Sequence, residues 1–141
     1  MFKRRLFITN FILIISIAVI HLIATYFYLY WTLPWFDIMV HFLGGLWVGS
    51  TAIWYIYFSG RFYKNDDLPI SKTRIFLISI VSTIIVGVLW EVFEFYVGAV
   101  DPDYIADTIL DLIMDTLGSI VAATYVVYSY KPNILNHERS K

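Results

Sequence analysis

At 141 residues, 60% of them hydrophobic and only 15% charged, the chain has room for one domain and too few charges for an ordinary soluble one. It has no cysteine, which excludes disulfides, thiolate metal ligands and a cysteine nucleophile. Ten Lys and Arg against eleven Asp and Glu leave a net charge of −1, and the bases are split among three short stretches instead of forming one stripe, so no nucleic acid is expected as a partner.

The mean hydropathy of +0.72 points to a bilayer. Four apolar runs, each near the roughly 20 residues that a membrane-spanning helix needs, predict an all-α, four-helix transmembrane bundle in a single membrane domain, residues 1–141. The first predicted span covers residues 6–30. It follows Lys3-Arg4-Arg5 and runs into bulky Tyr26-Phe27-Tyr28-Leu29-Tyr30-Trp31, so it is read as an uncleaved span and not as a signal peptide. A very short turn, Thr32-Leu33-Pro34, leads into the second span, residues 36–58. A basic loop, 59–74, precedes the third span, 75–100. Asp101-Pro102-Asp103 then opens a second turn, with Asp107 placed to cap the fourth span, 108–130. The basic tail 131–141 closes the chain. Aromatic residues stand at the span ends as interface anchors: Tyr30, Trp31 and Trp35 at one side, Trp54, Tyr55, Tyr57, Tyr128 and Tyr130 at the other.

All the bases fall in Lys3–Arg5, Arg61–Arg74 and Lys131–Lys141, which puts both termini in the cytoplasm of a multi-pass protein of the plasma (inner) membrane. Eight of the eleven acids lie between these clusters. Several stand inside apolar helices, where an ionisable group is costly and marks function. At about 1.5 Å of rise per residue, His41 lies about 8 Å below the start of its span and Asp115 about 12 Å below the start of its own. Glu91 and His21 lie at comparable depth from the same side, about 13 and 15 Å. Their angular positions agree as well: Asp37, His41, Gly44 and Val48; Gly87, Glu91, Glu94 and Gly98; and Asp111, Asp115, Gly118 and Ala122 each step by one helix face. The small residues that continue each stripe let helices approach closely below the site.

Asp37-Ile-Met-Val-His41-Phe-Leu-Gly-Gly45 also lines up with Asp111-Leu-Ile-Met-Asp115-Thr-Leu-Gly-Ser119. The match reads as two helical hairpins related by a pseudo-two-fold axis along the membrane normal, with the site between them.

At these motifs, Asp37-x-x-x-His41-Phe-x-Gly, Glu91-x-x-Glu94 and Tyr104-x-x-Asp107-Thr-x-x-Asp111-x-x-x-Asp115-x-x-Gly118, the chain resembles the YjdF-type bacterial inner-membrane proteins. More distantly it is similar to the VanZ-like membrane family, some of whose members are linked to glycopeptide-antibiotic resistance. The resemblance covers residues 36–120 and implies that Asp37, His41, Glu91, Asp107 and Asp111 occupy the family's polar motif positions. Asp115 departs from it, since VanZ-like proteins usually carry Asn there and YjdF-type ones a small residue. The resemblance brings no reaction with it.

So many acids without a nearby Lys or Arg require neutral carboxyls, a bound cation or a water-filled cavity. An imidazole with carboxylates from three helices is sound chemistry for a divalent metal ion. The expected ligands are His41, Glu91, Glu94 and Asp111, with Asp37 and Asp115 as the catalytic carboxylates beside them. No Glu-x-x-His motif is present, so a di-iron centre is not expected. His21, alone in an apolar span, is read as bonding a neighbouring backbone carbonyl, with a ligand role as the alternative, and for Asp107 a capping role stands beside a functional one. The sequence thus favours a metal-assisted hydrolase or transferase acting on a lipid or lipid-linked substrate from the outer leaflet. The alternatives are a small cation- or proton-coupled carrier, which at four spans calls for a homo-oligomer, and a non-enzymatic membrane protein related to the VanZ-like factors.

Overall fold

The computed structural model describes residues 2–33, 35–62, 71–98 and 104–130. The loop acids Asp101 and Asp103, the centre of the basic loop and the tail from Lys131 lie outside them. The helices are α1 (Phe2–Tyr26), a single turn α2 (Leu29–Thr32), α3 (Trp35–Ile53) prolonged by a π-helical turn (Trp54–Phe58), α4 (Lys72–Val97) and α5 (Tyr104–Ser129). The architecture is all-α. α1, α3 with its π turn, α4 and α5 are each long and apolar enough to cross a bilayer.

Local chemistry moves each boundary away from the apolar run. α1 stops at Tyr26, short of the expected Tyr30, because Tyr28 takes a left-handed backbone conformation (φ 56°) that a bulky residue seldom adopts. The chain restarts as α2, where the Thr32 hydroxyl donates to the Tyr28 carbonyl at 3.1 Å. α4 begins at Lys72, ahead of the expected 75, because the Ser71 hydroxyl accepts the Arg74 N–H at 3.2 Å as an N-cap. It ends at Val97 because Gly98 turns left-handed (φ 74°) and sends its N–H back to the Glu94 and Phe95 carbonyls. α5 starts at Tyr104, which corrects the expected role of Asp107: it lies inside the first helical turn, where its charge suits the helix dipole, and it is not the cap.

Three layers stack along the bundle. At the end bearing the basic residues, Leu6, Ile53, Tyr57, Phe58, Ile75, Ala123, Val126 and Val127 form an apolar floor to which every long helix contributes. Tyr57, expected as an interface anchor, is only 3% exposed and belongs to this floor, because the π turn carries it inward with Phe58. Trp54 does sit at the helix end, its indole N–H donating to the Lys3 carbonyl at 3.1 Å.

Above the floor lies a waist of small residues. A methyl group at Gly45 would overlap the Asp115 carbonyl, and one at Gly118 would overlap the Phe42 carbonyl, so α3 and α5 touch backbone to backbone. Hydroxyls tie the waist together: Ser79 donates to the Ser119 carbonyl and Ser50 to the Asn10 side-chain oxygen, both at 2.8 Å. Such contacts replace the hydrophobic drive that is missing between helices in lipid. The third layer is acidic.

α3 and α5 bear out the facing arrangement that the internal repeat requires, with Asp37–His41 opposite Asp111–Asp115. Their partners are placed less evenly. α4 packs against both α3 and α5, whereas α1 packs chiefly along α3 and its π turn. Trp90, Phe93 and Phe95 of α4 lie exposed on the outside of the bundle.

Candidate metal centre

Asp37 and His41 are one turn apart on α3, and Asp111 and Asp115 one turn apart on α5. The glycine contact just beneath them presses the two helices together, so the four side chains meet. The His41 imidazole is the centre of the group. Its Nε2 lies 3.8 Å from Asp37 Oδ1 and 3.7 Å from Asp111 Oδ2, and its Nδ1 lies 3.6 Å from Asp115 Oδ2. One donor atom each from Asp37, His41 and Asp111 fall within 4.8 Å of one another.

These separations are wider than direct bonds. A charge-assisted N–H···O contact closes to about 2.7–2.9 Å. Donors that share one ion at 2.0–2.2 Å stand roughly 3–3.6 Å apart, much nearer the observed spacing. The group is also out of electrostatic balance, with three carboxylates around one imidazole. Asp111 is 2% exposed and its Oδ1 has no hydrogen-bond partner. Asp37, with 36% of its side chain accessible, is the member nearest an opening.

The other expected residues surround this group. Glu91 of α4 is 5% exposed; its Oε2 accepts the Thr108 hydroxyl at 2.5 Å while its Oε1 has no partner. Tyr104 donates to the Glu91 backbone carbonyl at 3.2 Å, closing α4 onto the first turn of α5. Glu94 is half-buried on α4, and Asp107 is half-buried one turn before Asp111. His21 bonds a side chain, not the backbone carbonyl expected for it: its Nδ1 stands 2.7 Å from the Tyr30 hydroxyl. Tyr30 packs edge-on against Phe36, and burial, with Asp37 and Glu94 nearby, pushes its phenol up to about 12, so it stays a neutral O–H.

The sequence placed Tyr30 only as an interface anchor and Tyr104 and Thr108 only as motif positions, with no part in the site. Tyr104, Thr108 and Asp111 step by four and three along α5, and that helical spacing was their available signal.

The comparisons with known proteins agree with a membrane protein. A family model described as "Predicted membrane protein (DUF2238)" matches residues 2–132. A Thermotoga maritima protein described as uncharacterized is 35% identical over 105 residues, which cover 67% of this chain and 48% of the relative. The chain therefore spans about half the length of that relative. No solved structure matches the chain. With its matched residues running through all four long helices and the whole acidic layer, the chain belongs to the DUF2238 family of membrane proteins.

Proposed function

We propose that this protein holds a divalent cation between α3 and α5 at Asp37, His41 and Asp111, and uses it in hydrolysis or group transfer on a lipid or lipid-linked substrate. The observation that carries the proposal is the convergence of one donor atom each from Asp37, His41 and Asp111 within 4.8 Å of one another, with imidazole-to-carboxylate separations of 3.7 and 3.8 Å that are too long for direct bonds. A cation also relieves the repulsion among Glu91, Asp111 and Asp115, buried acids that form no ion pair with Lys or Arg among the described residues. Glu91 and Glu94 on α4 are further carboxylates near the group, and a carboxylate left uncoordinated there would serve as the base. The resemblance to YjdF-type and VanZ-like proteins, carried by the same acidic motifs, supports a membrane-embedded site.

The full chain purified in detergent should bind about one Mn2+ or Zn2+ at pH 7.5, by calorimetry and elemental analysis. Binding should weaken steadily toward pH 5, because the carboxylates and the imidazole nitrogen must shed protons to act as ligands. Loss of binding in Asp37→Asn and His41→Ala is expected. Uptake of no divalent ion at any pH would end the proposal.

A second reading, a cation- or proton-coupled carrier, is favoured by one observation. Thr83 and Ser79 continue the buried face of α4 below Glu91, and the Thr83 hydroxyl has no partner. The apolar floor of Leu6, Ile53, Ile75 and Val126 beneath them argues the other way.

We propose also that both termini face the cytoplasm, which sets the acidic layer in the outer half of the inner membrane. A periplasmic phosphatase reporter fused at Thr32 should be active and one at Asn65 inactive; the reverse pattern would invert the site.

A further inference from the structure

We infer that Asp115 is the positioning residue of this centre: its carboxylate, 3.6 Å from Nδ1, takes the Nδ1–H when the group closes on a cation, so that Nε2 is turned toward Asp37 and Asp111. The inference rests on the cation reading above and specifies the ring nitrogen and tautomer that reading needs.

The two edges of the imidazole have different surroundings. Nε2 faces two carboxylates on two helices, at 3.8 and 3.7 Å, and Nδ1 faces one, Asp115 Oδ2 at 3.6 Å. A neutral imidazole offers one N–H and one lone pair. The nitrogen that binds a cation must give the lone pair, so the proton belongs on the other. The edge with two potential co-ligands is the binding edge, which leaves the proton on Nδ1 against a group able only to accept it. A carboxylate behind the imidazole fixes ring orientation and raises the basicity of the ligating nitrogen.

Asp115 sits in a place built for it. A Cβ on Gly87 would come within 2.8 Å of Oδ2, one on Gly44 would stand 3.6 Å from Oδ1, and one on Gly45 would overlap the Asp115 backbone carbonyl. Gly87 on α4 thus leaves room for the carboxylate, and Gly45 on α3 for the backbone that carries it. Asp115 is 7% exposed, well shielded for a group of that charge.

The test uses Zn2+ as probe on the full chain in nanodiscs, with affinity read by competition against a chromophoric chelator and with 15N-labelled histidine observed by NMR. Wild type should show Zn2+ on Nε2 of His41 and a proton on Nδ1. Asp115→Ala should weaken Zn2+ binding by about 10–100-fold. Asp115→Asn, whose amide oxygen still accepts from Nδ1–H, should fall between the two. If Asp115→Ala does not fold, Gly87→Ala, which displaces the carboxylate without removing it, should weaken binding in the same direction. Zn2+ bound through Nδ1, or wild-type affinity in Asp115→Ala while His41→Ala binds none, would overturn the inference and leave the cation reading standing. Absence of Zn2+ binding by the wild type would overturn both.

Discussion

Asp111→Asn is expected to raise the melting temperature of the metal-free protein while abolishing its stabilisation by Mn2+. The carboxylate is almost completely buried, one of its oxygens has no partner, and it shares a single imidazole with Asp37 and Asp115. Without a cation, each of these features costs stability. Leaving a buried acceptor unpaired is worth about 1–3 kcal/mol, and more when the group is charged. Asparagine keeps the shape, removes the charge and supplies an NH2 that the neighbouring carboxylates can accept. His41 still has two anions beside it. The measurement is thermal unfolding in detergent, with a chelator and then with saturating Mn2+, for both proteins. Wild type should gain melting temperature with Mn2+, and the variant should start higher and not move. A metal-free variant that melts below wild type would mean that Asp111 is held by a favourable interaction and not strained. The comparison separates function from stability, since a residue kept for ligand binding often destabilises the empty protein.

Gly45→Ala and Gly118→Ala are expected to be among the most destabilising small substitutions in the bundle. Each adds one methyl group where the facing helix presents its backbone, and a backbone cannot swing aside as a flexible side chain can. Overpacking of this kind costs about 1–3 kcal/mol, and these two should lie at or beyond the upper end. Because both substitutions push on the same α3–α5 contact, the double variant should lose less than the sum. Gly98→Ala is the informative control: nothing stands within 4 Å of its added carbon, and its cost is the left-handed backbone alone, about 1–2 kcal/mol. The site supplies a second readout. Forcing α3 from α5 widens the distances between His41 and its partners on α5, so cation affinity should fall with stability in the first two variants and stay unchanged in the control.

Which parts of this structure could be read beforehand follows from what encodes them. The spans are written in the length of the apolar runs, and the meeting of His41 with Asp111 and Asp115 is written in depth and in steps of four and three. Helix ends are written in single residues. Ser71 and Gly98 fixed α4 at both ends, Ser71 from within the basic loop and Gly98 from within the apolar run, so neither coincides with an end of that run. The break at Tyr28 and the π turn at Trp54–Phe58 had no sequence signal at all, because aromatic residues at a span end suit an interface anchor equally well. Tyr57 was misplaced for that reason. Glu91 was recognisable as a buried acid from its depth, but the side chain that meets it was not: Thr108 is an ordinary residue near a helix start until α4 packs against it.

The floor of large side chains at the basic end has an electrical consequence. A voltage across a membrane drops mainly where the material is dry and apolar. In this bundle that region is the slab bounded by Leu6, Ile53, Ile75 and Val126, while the acid-rich layer lies beyond the waist from it, with 36% of the Asp37 side chain accessible. A charge at the His41 centre would then cross only a small part of the field on entering or leaving. Moving one elementary charge through the full field is worth about 2.3 kcal/mol per 100 mV, and an ion at this centre would experience a small fraction of that. Its occupancy would follow the ion concentration of one compartment and be nearly indifferent to the potential of the cell.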